Sequence, residues 1–264
     1  MTTVALDKKQ IRQSFANAAQ SYDAMATLQR QVGRELIARL SLPHESLVLD
    51  VGCGTGFFTQ QLRDRALLKN IVALDIAMPM LEKTRQRLND NFVPLLCADV
   101  EQLPLANSSV DALASNLALQ WCSDLGALFA GVQRVLRADG LFAFSTFGES
   151  ALCELKSAWA EVDDYPHVND FSSLLEIKQR MIAAGFVDVQ LERRIYQVKY
   201  TSVIELMREL KGIGAHNVSQ GRNKQLTSKG HLQSLLAAYP ASADGKIIAS
   251  YEVIYVLAKS GQKQ

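Results

Sequence analysis

Short apolar runs alternate with amphipathic segments from Leu47 onward, and this pattern predicts a layered α/β domain. The predicted strands are Leu47–Val51, Ile71–Ile76, Val93–Ala98, Val110–Asn116 and Gly140–Thr146. The amphipathic segments predict helices over Phe58–Arg65, Met80–Asn89 and Leu125–Leu136. Apolar strands that alternate with helices are typical of a parallel sheet covered on both faces. Right-handed crossovers would make this sheet doubly wound.

The segments on either side of this core follow different patterns. Residues 1–40 read as helical, with Phe15, Ala18, Ala19 and Tyr22 on one helix face, and the stretch LQRQVGRELIARL predicts a second helix that ends near Ser41. Residues 150–184 also read as helical. Two further strands are predicted over 187–200 and 247–258. The residues between those two strands, 201–240, exceed an ordinary connection and predict a helical lid.

Composition and charge exclude several classes of protein. The chain has 264 residues, 48% of them hydrophobic, and a formal net charge of +1, which argues against nucleic-acid binding. Its four cysteines include no C-x-x-C pair, as in reduced cytosolic proteins. No segment approaches the roughly 20 apolar residues of a membrane span. We therefore expect a cytoplasmic protein with no nucleic-acid or membrane partner and no bound metal.

The stretch VLDVGCGTGFF places Gly52, Gly54 and Gly56 directly after the first predicted strand. Glycine permits positive φ and close approach of a ligand to the backbone, and the helix start that follows offers free N–H groups. A dinucleotide site would need a small residue at position 57, where this chain has Phe57. The spacing therefore favours a different small-molecule ligand over a nicotinamide cofactor.

Acidic residues mark the ends of three successive predicted strands. Asp50 ends the first strand, Asp75 the second and Asp99 the third. Each could merely cap the helix or turn that follows it. Together with the glycine turn, however, they lie where open α/β sheets bind ligands, and Asp75 has the spacing of an acid that reaches ribose hydroxyls.

The motifs DVGCGTG (50–56) and CADVEQLP (97–104), together with Asp75, resemble the class I S-adenosylmethionine-dependent methyltransferases. The resemblance implies a Rossmann-like, mostly parallel seven-stranded sheet with an antiparallel last strand. It also implies a helical cover over 1–40 and a methyltransferase domain over 41–264 that carries the lid at 201–240. S-adenosylmethionine would then be the cofactor. The cofactor residues that it implies are Asp50, Gly52, Gly54, Gly56, Asp75, Ile76, Met80, Asp99, Val100 and Leu117.

Three other stretches are similar to the malonyl-acyl-carrier-protein O-methyltransferases of biotin synthesis: FANAAQSYD (15–23), LALQW (117–121) and LKGIGAHNVSQGR (210–222). The similarity implies methylation of the free carboxylate of malonyl-acyl-carrier protein or malonyl-coenzyme A. This carboxylate is ionised near pH 7, so the site needs hydrogen-bond donors rather than a base. The candidate donors in the lid are Lys211, His216, Asn217 and Arg222, although each could equally be solvated or satisfied locally.

Three further residues are candidates for the catalytic centre. Tyr22 could reach the cofactor or the acceptor, or could be a core aromatic. Gln120 and Trp121 follow the fourth strand, where Trp121 could wall off the methyl-transfer site or simply pack in the core. Residues 188–230 carry eight Lys/Arg against four Asp/Glu, which suits an acidic carrier protein. Another small carboxylate, a quinone precursor and a non-catalytic S-adenosylmethionine-binding role remain as alternatives.

Overall fold

The computed structural model describes residues 6–89, 93–215, 217 and 228–261. Within these ranges, seven strands form one sheet in the order β3-β2-β1-β4-β5-β7-β6. The strands are β1 Leu47–Val51, β2 Asn70–Asp75, β3 Leu95–Cys97, β4 Val110–Asn116, β5 Leu136–Phe147, β6 Phe186–Tyr200 and β7 Ile247–Ser260. The first five strands pair in parallel, whereas β7 runs antiparallel to both β5 and β6. The predicted fold class is confirmed, including the reversed last strand.

The helices flank this sheet, and half of them begin at a side-chain cap. Their bounds are α1 Lys8–Ala18, α2 Tyr22–Met25, α3 Thr27–Ile37, α4 Phe57–Arg65, α5 Met78–Leu88, α6 Leu125–Val135, α7 Cys153–Ala160, α8 Leu174–Ala183, α9 Val203–Gly212 and α10 Lys229–Ala238. Asp7 caps α1, Asp124 caps α6 and Ser202 caps α9, each accepting hydrogen bonds from N–H groups of the first turn. Such caps satisfy donors that have no partner within the helix.

Side chains of alternating strand residues form cores on both faces of the sheet. Val48 and Ala112 pack with α3, α4 and α7 on one face, and Leu49 and Leu113 pack with α6 and α8 on the other. Because side chains alternate along a strand, a parallel strand buried on both faces reads as a continuous apolar run. This explains why β1 and β4 have the bounds that the hydrophobic pattern predicts.

Two predicted helical segments are interrupted. The helix through Phe15 ends at Ala18, and Tyr22 begins a separate short helix. The break at Ser21 has a structural cause: the Ser21 hydroxyl donates to the Gly212 carbonyl at 2.8 Å, which ties the N-terminal segment to α9. Phe15, Ala18, Ala19 and Tyr22 nevertheless gather in one cluster. The prediction of a single helix was wrong, but the predicted apolar grouping is present.

Two other boundaries also differ from the predicted ones. The helix expected to end near Ser41 ends at Ile37. The segment 150–184 contains α7 and α8, with a non-helical loop over 161–173 between them. In that loop, Asp163 accepts hydrogen bonds from the Tyr165 amide at 3.0 Å and from the His167 ring at 2.8 Å. These local bonds and Pro166, which has no N–H to donate, favour a turn over a helix.

Candidate active site

A cleft at the carboxyl ends of β1, β2 and β4, covered by α1 and α2, encloses about 660 Å³ of empty space. We call it the main cleft. Such a position is the usual ligand site of open α/β sheets. The structure brings ten of the residues predicted from the sequence to its lining: Tyr22, Gly52, Gly54, Asp75, Ile76, Met80, Asp99, Val100, Leu117 and Trp121.

The other predicted site residues lie elsewhere. Asp50 and Gly56 do not line the main cleft, and Gln120 lines a neighbouring cavity. Lys211 is exposed and lines none of the cavities of the described chain. Asn217 lines a second chamber described below. His216 and Arg222 lie outside the described residues.

The three glycines of the turn all have positive φ, but they serve different purposes. A Cβ on Gly52 would lie 2.3 Å from the Ala118 Cβ, and a Cβ on Gly56 would lie 2.8 Å from the Thr84 Cγ2. A Cβ on Gly54 would meet no protein atom within 4 Å. Gly52 and Gly56 are therefore required for packing, and Gly54 is the one whose missing side chain leaves space open for a ligand.

Asp75 is held rigidly at the base of the main cleft. Its Oδ2 accepts the Gly54 N–H at 2.9 Å, and its Oδ1 accepts the Ala77 N–H at 2.8 Å. Burial raises the pKa of Asp75 to about 6, against the opposing effect of these backbone hydrogen bonds. Each carboxylate oxygen keeps a lone pair beyond the bond that it already accepts, so Asp75 can accept two further hydrogen bonds from a ligand.

Asp50 lies one layer deeper, fully buried at the end of β1. Its Oδ2 accepts the Thr59 hydroxyl at 2.5 Å, whereas its Oδ1 is buried without a hydrogen-bond partner in the described part of the chain. Burial raises the pKa of Asp50 to about 7, and the nearby Asp75 carboxyl adds to the shift. A buried acceptor without a partner is costly, which makes it a point where a polar ligand group can bind favourably.

These two pKa values predict a pH dependence of stability in the absence of ligand. A carboxyl whose pKa is raised by folding keeps its proton at pH values where the unfolded chain has lost it, so stability falls as pH rises. The fall should run from about pH 4 to about pH 6 for Asp75 and to about pH 7 for Asp50. Within these ranges the free energy of unfolding should fall by up to about 1.4 kcal/mol per pH unit for each group. Urea unfolding at pH 5, 6, 7 and 8 measures it.

The variant Asp50→Asn removes one titrating group while keeping an acceptor for the Thr59 hydroxyl, and we expect it to flatten the decline between pH 5 and pH 7. Asp64→Asn, at a partly exposed carboxyl on α4, is the matched control and should follow the parent curve. Identical slopes for Asp50→Asn and the parent protein would show that Asp50 does not have the raised pKa.

The rim of the cleft near Asp99 contains a cation that the sequence patterns did not point to. Lys8 Nζ lies 3.2 Å from Asp99 Oδ1 and 3.1 Å from Glu101 Oε2, which joins α1 to the end of β3. Asp99 Oδ1 also accepts the Glu101 N–H at 3.0 Å. The resemblance to the methyltransferases implied that Asp99 contacts the cofactor. In the structure, one of its oxygens is already occupied by Lys8.

The N-terminal segment is also anchored to the glycine turn itself. Asp23 accepts the Thr55 hydroxyl at 2.6 Å through Oδ1 and pairs with Arg87 through Oδ2 at 2.5 Å. Arg87 also donates to the Thr55 carbonyl at 2.8 Å. The two motifs FANAAQSYD and DVGCGTG are therefore joined directly. This network holds Tyr22 at the cleft, where its hydroxyl makes no hydrogen bond to the described residues.

The backbone at the end of β4 is strained where it meets the cleft. Leu117 adopts φ +49°, a left-handed conformation that is unfavourable for a residue with a Cβ. Its N–H donates to the Ser145 hydroxyl at 3.0 Å and to the Ser145 carbonyl at 3.1 Å. The following 3₁₀ turn, Leu119–Trp121, directs the Trp121 ring against Phe15, with ring centroids 5.3 Å apart and planes at 86°. Strain of this kind is concentrated at functional sites.

A second chamber of about 580 Å³ adjoins the main cleft at Trp121, which lines both. We call it the aromatic chamber, because Trp121, Phe147, Phe171 and Tyr251 line it. The Phe147 ring lies 5.5 Å from Phe171 and 5.8 Å from Tyr251. Helix α9 closes one side of the chamber, so the segment predicted to be a lid contributes to its wall.

Gln120 faces away from the main cleft. Its side-chain amide donates to the Leu117 carbonyl at 2.7 Å, and it lines a third cavity together with Thr146 and Arg180. Its hydrogen bond supports the strained turn at Leu117. The structure therefore does not bring Gln120 to the cleft where Tyr22 and Trp121 lie.

Comparisons with known proteins agree with this geometry. A sequence model of the methyltransferase domain matches residues 49–144. The chain is 42% identical over 260 residues to the malonyl-acyl-carrier-protein O-methyltransferase of Methylovorus sp. (strain MP688), and the match covers 95% of this chain and 88% of that protein. The chain belongs to the malonyl-acyl-carrier-protein O-methyltransferase family. It is an S-adenosylmethionine-dependent methyltransferase, so the expected enzyme class and cofactor are confirmed.

Two other matches extend this result. The chain is 40% identical over 258 residues to the biotin biosynthesis bifunctional protein BioHC of Cellvibrio japonicus (strain Ueda107), covering 96% of this chain and 50% of that protein. The crystal structure of the YcgJ protein from Bacillus subtilis superposes with a TM-score of 0.65 at 17% identity, covering 88% of this chain and 99% of that one. At that identity, the superposition shows the fold alone.

Several residues at the methyltransferase cleft carried no signal in the sequence patterns. Lys8 and Ile11 line the cleft from α1, and Asn116 lines it from β4. The Asn116 side chain donates to the Gln29 carbonyl at 2.9 Å, which anchors α3. Asn116 is itself a polar residue at the end of an apolar strand, and the sequence analysis could have used this signal. Nothing in the local pattern distinguishes Lys8 from the other exposed lysines.

The described part of the chain contains no helix that is both long and apolar enough to cross a membrane. Within the same residues, no group of three His, Cys, Asp or Glu side chains is arranged to hold a metal ion.

Proposed function

We propose that this protein transfers the methyl group of S-adenosylmethionine to the free carboxylate of a malonyl group carried by acyl carrier protein, giving a methyl ester that enters biotin synthesis. The observation that supports this most directly is the pair of adjoining spaces: the main cleft and the aromatic chamber meet at Trp121. Two-substrate transfer needs such adjacent sites, because the donor and acceptor atoms must come into contact. The names of the chain's close relatives support the choice of acceptor.

The main cleft fits the proposed cofactor. Asp75 offers acceptor capacity to a pair of ribose hydroxyls, and Gly54 leaves open space beside the turn. The unpartnered Oδ1 of Asp50, which lies behind the cleft lining, would interact with a donor such as an ammonium group through a water molecule. Ile76, Met80, Val100 and Leu117 would complete the site with apolar contacts, and Asp99 would remain at its rim. When bound, S-adenosylmethionine supplies a methyl group on a positively charged sulfur.

The residues of the chain would chiefly orient the acceptor and exclude water. An ionised carboxylate has no proton to lose, so no general base is needed. Trp121 would separate the two spaces and direct the carboxylate toward the methyl group, and Phe15 packs edge-on against it to hold it there. Tyr22, with a hydroxyl that is free to donate and a pKa raised by burial, would remain protonated and could hydrogen-bond to either substrate.

We also propose the domain organisation that the sequence predicts. Residues 1–40 would form the cover of the cofactor, and residues 201–240 would form the lid of the acceptor site. Among the four proposed donors in the lid, Asn217 lines the aromatic chamber, where it also donates to the Pro166 carbonyl. Lys211 points into solvent and would serve the carrier protein rather than the carboxylate. His216 and Arg222 stay predictions for the acceptor carboxylate.

A mass measurement on the acceptor tests this proposal. The purified protein is incubated with S-adenosylmethionine and malonyl-acyl-carrier protein, and separately with the acetyl and succinyl carrier proteins and with malonyl-coenzyme A. We expect a gain of one methyl on the malonyl acceptors and none on acetyl-carrier protein. A gain on succinyl-carrier protein equal to that on malonyl would contradict selection of the malonyl group. Cofactor binding without any methyl transfer would contradict the enzymatic role.

A further inference from the structure

The aromatic chamber contains one carboxyl group from the lid helix that the proposed reaction does not need. Glu209 lies on α9, half-buried, and lines this chamber. Trp121 lines both the chamber and the main cleft, whereas Glu209 does not line the cleft. The carboxyl group of Glu209 therefore belongs to the acceptor side of Trp121 and not to the cofactor side.

Burial and a hydrogen bond act in opposite directions on the ionisation of this carboxyl group. The Tyr200 hydroxyl donates to Glu209 Oε1 at 2.8 Å, and the Tyr251 hydroxyl lies 3.1 Å from that of Tyr200. Burial raises the pKa of Glu209, and the hydrogen bond from the Tyr200 hydroxyl, which favours the carboxylate, opposes this shift. The two tyrosines also fix its position, since Tyr251 extends from β7 into the chamber wall.

No basic side chain neutralises Glu209 in the part of the chain that the structure describes. In that part of the chain its carboxyl group accepts the Tyr200 hydroxyl and forms no ion pair, and the described lining of the chamber includes neither lysine nor arginine. His167 also lines the chamber, but its Nε2 is engaged with Asp163 at 2.8 Å. Glu209 therefore places a carboxyl group in the wall of a site that we propose for an anionic acceptor. The acceptor must bind with its own carboxylate away from Glu209.

We propose that Glu209 is a specificity-determining residue that rejects acceptors with a negative charge at both ends and thereby orients the malonyl group. This inference rests on the proposed function. A malonyl thioester has one carboxylate and one neutral carbonyl end. With the thioester end beside Glu209, the carboxylate lies toward Trp121 and the positively charged sulfur of the cofactor. Free malonate carries a second carboxylate in place of the thioester, so one charge must face Glu209 in either orientation.

The physical basis is repulsion between like charges in a partly desolvated space. Two carboxylates a few ångströms apart in such a setting repel strongly, and proteins use this to disfavour wrong ligands. Neutral thioesters and esters escape the penalty. The lid therefore supplies selection against small free diacids, which share the reacting carboxylate with the carrier-bound acceptor.

The test compares two small acceptors that differ in the charge of one end, malonate and monomethyl malonate, with malonyl-N-acetylcysteamine as the reference thioester. Methyl transfer to each is measured at one pH by mass spectrometry. We expect the parent protein to prefer monomethyl malonate over malonate by on the order of tenfold or more. In Glu209→Gln, this ratio should fall to about twofold or less. Glu209→Asp, which keeps the charge, should retain a preference for monomethyl malonate.

Glu205→Gln is the matched control, since Glu205 lies one turn earlier on the same helix and bonds to Thr201 outside the chamber. It should leave the ratio at the parent value. A parent protein that uses both small acceptors equally, or a Glu209→Gln variant with the parent ratio, would overturn the inference while methylation of malonyl-N-acetylcysteamine still upheld the proposed reaction. If Glu209→Gln fails to fold, the inference is tested by the preference for monomethyl malonate over malonate in the parent protein and in Glu209→Asp.

Discussion

Replacing Asp75 with asparagine is expected to weaken S-adenosylmethionine binding by about a hundredfold or more. The carboxylate is positioned by two backbone N–H groups, from Gly54 and Ala77, and in the proposed site it would offer its remaining lone pairs to the ribose hydroxyls. A hydrogen bond to a charged group contributes about 1.5–3 kcal/mol, so weakening two of them costs roughly 3 kcal/mol. The amide NH₂ of asparagine would also face one of the two backbone donors.

Isothermal titration with S-adenosylmethionine and with its demethylated product measures this loss. Asp64→Asn on α4 is the control, because Asp64 is partly exposed and pairs with the adjacent Arg63. Its affinity should match that of the parent protein. Thermal unfolding without ligand establishes that Asp75→Asn still folds. An affinity for Asp75→Asn within a factor of three of the parent value would refute the assigned role of Asp75.

Replacing Gly214 with alanine is expected to lower methyl transfer at least tenfold by separating the lid from the cover. Gly214 has φ +73°, and a Cβ there would lie 3.0 Å from the Ser14 carbonyl oxygen and 3.2 Å from both Ala18 and Phe15. The left-handed conformation costs a residue with a Cβ about 1–2 kcal/mol. Crowding against the backbone of α1 adds about 1–3 kcal/mol. Phe15 also packs on Trp121, so its displacement disturbs the wall between the two spaces.

Gly230→Ala is the matched control within the same insertion. A Cβ at Gly230, near the start of α10, would have no neighbour closer than the Ser228 hydroxyl at 3.7 Å. Its turnover should stay within about twofold of the parent protein, because an alanine in a helix is favourable. Steady-state rates and cofactor affinity are measured for both variants. Equal rates for Gly214→Ala and Gly230→Ala would show that close packing of lid on cover is not required.

The sequence alone predicted those parts of the protein that depend on neighbouring residues in the chain. Apolar periodicity identified the strands of the sheet, since a strand buried on both faces must be apolar throughout. The sequence also predicted the glycine turn and the position of Asp75 at a strand end, because a strand end, a tight turn and a helix start are contiguous in the chain. Local signals failed where a remote contact redirected the chain, as at Ser21, whose hydroxyl bonds a residue 191 positions away.

The elements that form the cleft were therefore more predictable than the surroundings of individual side chains. Gly52, Gly54 and Gly56 look equivalent in the sequence, yet the atoms that each would meet differ, and only the structure separates packing glycines from the one that borders open space. Lys8 reaches Asp99 across 91 residues of chain, a pairing that no local pattern encodes.

The sequence by itself determined the sheet, the glycine turn at its edge and the family, because periodicity and short motifs are local properties that do not depend on packing. Only the tertiary structure decided that the N-terminal segment contacts Gly212 and Gly214, that Gln120 lines a neighbouring cavity, and that Glu209 lines the aromatic chamber. These features depend on how separately formed elements pack together. Their geometry arises from contacts between residues far apart in the chain, and it becomes defined only when the whole core is assembled.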